Sequence, residues 1–314
     1  MKKQGIPRTS GSRPRCSRGS LARRGSRVFG ILTTPAKDIF HSNYHLGLLA
    51  GIRPRIKATK SRLKIVMMPS KPFRSLDEIL EENGLDGLLI LTWRWIHPSI
   101  AALVETTRHS RVVVVNDPVP GLRVNSVYTD TDAGMAQAVH HLARKGHRKI
   151  GMLHGPWEVS FKSGRKTVDV PFIDTRLKVK GLMAALQAGG LQCDPDWFRS
   201  GAVNSEAEGF RVMRAWLDEK DLPSAIVCGN DDLAFGALKA LKKARKRVPQ
   251  DMAVIGFDDN ERAKSFLPPL TTVRQPLAQM GRDAIDILIR QLDRPLLHPV
   301  SKRYTPKLIV RKTT

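Results

Sequence analysis

The sequence predicts an α/β protein of two lobes, each built on a parallel sheet, and three observations carry that expectation. Short apolar runs alternate with segments of helical spacing from residue 28 onward. The alternation restarts near residue 130 with no long linker, so that one α/β unit follows another. The chain's 314 residues, 41% of them hydrophobic, suffice for one large or two ordinary cores.

Taken in order, the run Val28-Phe29-Gly30-Ile31-Leu32 reads as the first strand. A helix is expected over 43–60, a strand at "LKIVMM", a helix over 76–83, a strand at "GLLIL" and another at "VVVVN", residues 112–116. Pro54 lies inside the first of these helices and is expected to kink or shorten it, because its ring displaces a backbone hydrogen bond. In the second unit, Asp130 or Thr131 can cap a helix whose Met135, Ala138, Val139 and Leu142 share one face, with Gly146 placed to end it before "KIGMLHG". "SAIVCGN" at 224–230 is a buried run, followed at helical spacing by Ala234, Ala237, Leu238 and Leu241, and then by "MAVIGF" at 252–257. Ligands of open α/β sheets bind at the carboxyl ends of the strands. Asn116-Asp117, Asn230-Asp231-Asp232 and Asp258-Asp259 stand at those ends.

Charge is placed unevenly. Residues 1–76 hold 18 Lys and Arg against Asp38 alone, a balance of +17, whereas the other 238 residues hold 35 against 28, a balance of +7. Concentration of this kind is the footprint of a polyanion partner, most often nucleic acid; the bland reading is a solvated tail and a basic helix face. Residues 1–20 are rich in Arg, Ser, Gly and Pro and cannot form a core of their own.

Other classes lose support. No apolar run reaches the roughly 20 residues of a membrane span, and the Arg-rich leader has no apolar segment of a secretory signal, so a cytoplasmic protein is expected. Cys16, Cys193 and Cys228 are odd in number and widely separated, as reduced structural thiols would be. His140, His141, His147 and His154 lack ligand spacing, and no metal or cofactor is expected. No nucleophile elbow, phosphate loop or dinucleotide fingerprint occurs, so no catalytic residue is assigned and no enzyme activity is expected. Within Asp231-Asp232 and Asp258-Asp259, adjacent side chains diverge, so one member of each pair is expected to face a cleft and the other to cap the next helix. Such polar groups suit the binding of a polyhydroxylated small molecule.

The stretches "SVYTDTDAGMAQAVHHLARKGHRKIGMLHGP" at 126–156, "AIVCGNDDLAFGALKAL" at 225–241, "VPQDMAVIGFDDNE" at 248–261 and "PPLTTVRQPLAQMG" at 268–281 resemble the effector-binding core of LacI/GalR (lactose-repressor and galactose-repressor) transcription regulators. The resemblance covers 27–312 and implies a periplasmic-binding-protein-like core of two lobes joined by three crossovers. It places one lobe at 27–129 plus 275–300 and the other at 130–273 plus 303–312, after a basic headpiece remnant and hinge at 1–26. It also implies a homodimer that senses a sugar, nucleoside or related metabolite and switches its affinity for DNA. Matched motif by motif, the effector contacts fall on Thr34, Asp117, Arg176, Asn230, Asp258 and Gln275. "GSRPRCSRGSLARRGSRVFG" resembles the family's junction between headpiece and core, with Leu21 matching the leucine that wedges into the minor groove and Arg15, Arg18, Arg23 and Arg24 placed for phosphates.

The family's headpiece needs roughly 45 to 50 residues before the hinge leucine for its helix-turn-helix. Here 20 precede Leu21, without helical periodicity, so the recognition helix is expected to be missing and DNA binding to be non-specific. Gly19 costs the would-be hinge helix about 1 kcal/mol relative to alanine. The segment "EVSFKSGRKTVDVPFI" before Arg176 is longer than usual and is expected beside the cleft. The alternative readings are a solute-binding receptor of the same fold and a sensor core that has lost specific DNA binding.

Overall fold

A computed structural model of the chain describes residues 26–33, 43–67, 74–91, 104, 109–116, 124–163, 166–171, 173–294 and 298–314, with only the backbone at 109, 158–163 and 166–171. Two six-stranded sheets organise it. In the first, the order is β13 (Ser301–Tyr304), β5 (Val124–Thr129), β4 (His109–Val115), β3 (Gly87–Leu91), β1 (Val28–Thr33) and β2 (Arg62–Met67), with every pairing parallel. In the second, β9 (Phe198–Ser200), β6 (Ile150–His154), β10 (Ala225–Cys228), β11 (Ala253–Asp258) and β12 (Thr271–Arg274) are parallel, and β14 (Lys307–Ile309) closes the edge antiparallel to β12. Strands buried on both faces read as unbroken apolar runs, which is why "GLLIL" and "VVVV" announce them.

The first sheet is sandwiched between helices. On one face α1 (Asn43–Ala58) packs with a helix from the far end of the sequence, Leu277–Asp293; on the other lies α2 (Leu76–Glu82). Pro54 does not end α1, which runs on to Ala58. Ala50, whose carbonyl the proline leaves without its helical donor, is exposed together with Pro54, so water can satisfy it. Leu48, Ile52 and Ile56 meanwhile anchor the opposite side in the core.

In the second unit, α3 (Thr131–Arg144) and α4 (Ile173–Ala188) cover one face, and α5 (Glu206–Trp216) and α6 (Asp231–Lys243) the other. Asp130 caps α3 through the Ala133 amide, and Gly146, at φ 93°, closes its end. A short helix, α7 (Arg262–Ser265), follows β11, and Leu277–Asp293 is α8. The chain passes between the two units after Thr129, around Gln275 and after Tyr304. Because β13 pairs with β5, residues 303 and 304 belong to the first unit, and the last crossover falls after them rather than at 303. The segment before α4 forms an antiparallel hairpin, β7 (Glu158–Ser163) with β8 (Lys166–Pro171), outside both sheets.

Candidate functional site

The carboxyl ends of the two sheets meet, and one side chain ties them. Gln275 Nε2 donates to Asp258 Oδ1 at 2.7 Å, while its Oε1 accepts from Thr129 Oγ1 at 2.5 Å. Thr129 ends β5 in the first sheet and Asp258 ends β11 in the second. A second tie joins the start of α1 to the start of α6, where the Asn43 side chain donates to the Asp232 carboxylate.

The turn after β11 is strained. Asp258 and Asp259 have φ of 117° and 57°, a region that costs a residue with a Cβ about 1–2 kcal/mol. Ion pairs hold it there: Arg274 Nε lies 2.5 Å and Arg311 Nη2 2.6 Å from the buried Asp259 carboxylate. Asn116, at the tip of β4, has φ 91°. Strained residues at the tips of strands in both sheets mark a functional site more often than a plain loop.

A buried cation stands behind Asp258. Lys178 Nζ donates to Asp174 Oδ2 at 2.8 Å and to the Gly229 carbonyl at 2.9 Å, and sits 4.4 Å from the Phe257 ring centroid. Burial opposes its charge, but Asp174, Asp258 and Asp231 together outweigh burial and hold Lys178 above its ordinary value. Burial pushes Asp258 up to about 7, against the opposite pull of Lys178 and Gln275. Burial, and next the neighbouring Asp258, raise Asp231 well above the carboxylate range, although Thr272 Oγ1 (2.6 Å) and the Asn260 amide (2.7 Å) both donate to it. A carboxyl balanced near neutrality accepts a hydrogen bond when ionised and donates one when protonated, which suits a hydroxyl-bearing ligand.

Of the residues singled out in the sequence, Asp258 and Gln275 come together directly. Arg176 projects from α4 with its guanidinium carbon 5.4 Å from the Trp157 ring, just beyond the tip of β6. Asn230 lies at the tip of β10, but its side-chain oxygen caps α6 by accepting from the Leu233 amide at 2.9 Å. Capping by one member of each acidic pair does not occur: Asn230 caps α6 in place of Asp231 or Asp232, and α7 has no side-chain cap. Thr34, Asp117, Arg15, Arg18, Leu21, Arg23 and Arg24 lie outside the described residues.

Lys178, Asp174 and Trp157 were not singled out by the sequence. For Lys178 a signal existed: it falls on the same face of α4 as Thr175, Val179, Leu182 and Leu186, with an acid four residues before it. Among the described residues, no group of His, Cys, Asp or Glu is placed to hold a metal ion, and no helix is long and apolar enough to cross a membrane.

Comparison with known proteins agrees with this geometry. Residues 139–314 match the family described as periplasmic binding protein-like domain. The chain is 31% identical over 239 residues to the HTH-type transcriptional repressor PurR of Haemophilus influenzae (strain PittEE), covering 75% of this chain and 66% of that protein. It is 32% identical over 237 residues to the HTH-type transcriptional repressor CytR of Escherichia coli (strain K12), covering 76% and 65%. The match thus spans about two thirds of the length of these relatives, which are repressors rather than enzymes. Among solved structures, the lac repressor dimer bound to operator and the anti-inducer ONPF superposes with a TM-score of 0.73 at 23% identity, over 93% of this chain and 95% of that one. The Escherichia coli transcriptional repressor ascG gives 0.71 at 25% identity, over 92% and 99%.

Proposed function

Because this chain belongs to the periplasmic binding protein-like domain family and carries the core of a LacI/GalR-type regulator, we propose that it is an effector-responsive transcriptional regulator of the repressor type. A sugar, nucleoside or related small metabolite binds between the two lobes against Asp258, Gln275, Asn230 and Arg176, with Thr34 and Asp117 supplied by the first lobe. DNA binds through the N-terminal region, with Arg15, Arg18, Arg23 and Arg24 on phosphates and Leu21 in the minor groove. The protein acts in the cytoplasm as a homodimer.

The observation that carries this reading is the relay Thr129–Gln275–Asp258. The Asp258 carboxyl stands at the junction of the two sheets, where a ligand that bonds it alters the tie between the lobes. Such a junction is a two-state element that a small ligand can bias.

The test is a thermal-shift screen of sugars and nucleosides, followed by fluorescence anisotropy of a labelled duplex with and without the stabilising compound. A hit should shift duplex affinity, and Asp258→Ala should weaken its binding by at least tenfold, in line with the roughly 2–5 kcal/mol lost with a buried charged partner. Unchanged ligand affinity in the variant would remove Asp258 from the site. Duplex affinity indifferent to a bound ligand would remove the switch.

A further inference from the structure

Among the described residues, five helices end in the same way, and two of them do so at a cost. In each, the first residue past the cap donates to the carbonyl three positions back and the next residue donates to the carbonyl five back, a closure that requires a left-handed backbone. Gly84, Gly146 and Gly190 take that position at α2, α3 and α4, at φ of 60°, 93° and 63°. At α1 and α6 it is held by Lys60 and Arg245, at φ of 52° and 56°. Side chains rarely adopt this region, so these two helices keep a cation where glycine would relax the backbone.

Both cations sit in clusters. Around Lys60 lie Arg53, Lys57, Arg62 and Lys64, beside the segment that leads in from the N-terminal leader, with Ser26 Oγ donating to the Lys60 carbonyl. That end is already next to the region proposed to hold DNA. Around Arg245 lie Lys242, Lys243 and Lys246, all exposed, and none has a salt-bridge partner among the described residues. Arg247 beyond them pairs with Asp251 at 2.7 Å. Favourable placement against the helix dipole explains cations in the last turn but fades beyond it, and does not account for an arginine in a strained position followed by another lysine.

The second cluster is remote from the first. The helices α1 and α6 begin near each other, where Asn43 meets Asp232, and each runs back along its own lobe. With 16 and 13 residues at about 1.5 Å each, they carry their far ends roughly 24 Å and roughly 20 Å from that meeting point. The same strand-start end of the second lobe carries Arg144, Lys145 and Arg148 after α3, again with no acid in salt-bridge reach among the described residues. His147 Nδ1 and Ser224 Oγ, 2.9 Å apart, link that segment to the start of β10. A depression of about 470 Å³ lined by Gln137, His140, His141, Arg144, Lys145 and Leu308 opens on the same lobe.

We propose that this end of the second lobe is a separate surface for the phosphate backbone of duplex DNA, built on Lys242, Lys243, Arg245 and Lys246 and extended by Arg144, Lys145 and Arg148. It reads no bases, since no helix presents a row of side chains to a groove there; it holds a second duplex, or a distant part of the same one, by charge. This inference does not rest on the leader, and its failure is distinguishable from the leader's.

The experiment compares the full chain with two full-length variants by anisotropy over a series of salt concentrations. One variant is K242Q/K243Q/R245Q/K246Q and the other R15Q/R18Q/R23Q/R24Q. Each lost phosphate contact removes about 0.9 from the slope of log affinity against log salt, so the first variant should flatten the slope by about 2–4 and add to the effect of the second. Beads carrying one duplex and loaded with protein should capture a second, labelled duplex, and the first variant should lose this capture. Arg245→Gly alone should raise the melting temperature by about 1–4 °C while flattening the slope by about 1. An unchanged slope in the first variant overturns the proposal, as does loss of phosphatidylserine-vesicle binding in that variant with DNA binding intact. A lower melting temperature for Arg245→Gly overturns the argument from backbone strain.

Discussion

Gln275 and Asp258 share a hydrogen bond of 2.7 Å that joins the linking segment after β12 to the tip of the neighbouring strand β11. Gln275 is buried, and its amide is committed at both ends, to Asp258 and to Thr129. Leucine has nearly its shape and none of its polarity. Gln275→Leu should therefore lower stability by about 1–3 kcal/mol, the cost of leaving buried groups without partners, as measured by urea or thermal unfolding. The loss should be larger at pH 8 than at pH 5, because the amide donates to the ionised form of Asp258. A loss that does not depend on pH would mean that Asp258 is not the partner that matters.

Asp258 itself carries a pH signature. Burial raises its carboxyl from the ordinary range to about 7. A carboxyl raised on folding favours the folded state fully below its unfolded value near 4 and loses that contribution as pH rises through about 7. Asp258→Asn keeps an acceptor for Gln275 but cannot ionise. Relative to the natural chain, it should melt at a similar or lower temperature at pH 5 and at a higher one at pH 8. The reverse order would show that Lys178 stabilises the ionised carboxylate more than burial opposes it.

Lys178 is the cation that permits so many acids in one place. Removing it leaves Asp174 without its partner and Asp258 and Asp231 without a neighbouring positive charge. Breaking a buried pair from one side costs about 3–5 kcal/mol, and Lys178→Met should show a loss of that order at pH 7.5. Because the lysine is raised above its ordinary value, its contribution is whole at neutral pH and fades only in strong alkali. Asp258 and Asp231, both raised by burial, by contrast take up protons on acidification, so the cost of Lys178→Met should shrink at pH 5. Thermal melts of both proteins at the two pH values check this.

The two-lobed architecture is legible because buried parallel strands leave runs such as Leu88–Leu91 and Val112–Val115 with no polar interruption. The site is legible only in part. Asp258 stands out because it ends such a run, but the partners that set its charge come from α4 and from the linking segment after β12. Lys178 is hidden for the same reason: a lysine on an apolar face reads as a surface residue until Asp174, Asp231 and Asp258 are folded around it. Asn230 shows the opposite limit, since its place at a strand tip is plain while its side-chain oxygen is occupied by the Leu233 amide of α6. The sequence also gives Pro54 a stronger effect than it has, because local propensity does not include the packing that pins the other side of α1.

That packing gives the last prediction. Helices α1 and α8 approach so closely that a Cβ on Gly51 would lie 1.7 Å from the Ala278 carbonyl oxygen, and one on Gly281 would lie 2.2 Å from the Leu48 carbonyl oxygen. Both obstacles are backbone, so neither can swing aside. Gly51→Ala must separate the helices and loosen the core around Leu48, Ile52, Met280 and Ala284. Intrinsic helix propensity argues the other way, since alanine is favoured over glycine by about 1 kcal/mol in a helix interior. Overpacking that shifts backbone typically costs about 1–3 kcal/mol or more, so packing should win and Gly51→Ala should be destabilised. At the neighbouring exposed Ala50, propensity is the only consideration, and Ala50→Gly should cost about 1 kcal/mol. Urea unfolding of the two variants decides the matter: if Gly51→Ala proves more stable than the natural chain, the two helices are not in backbone contact and α1 is held by its side chains alone.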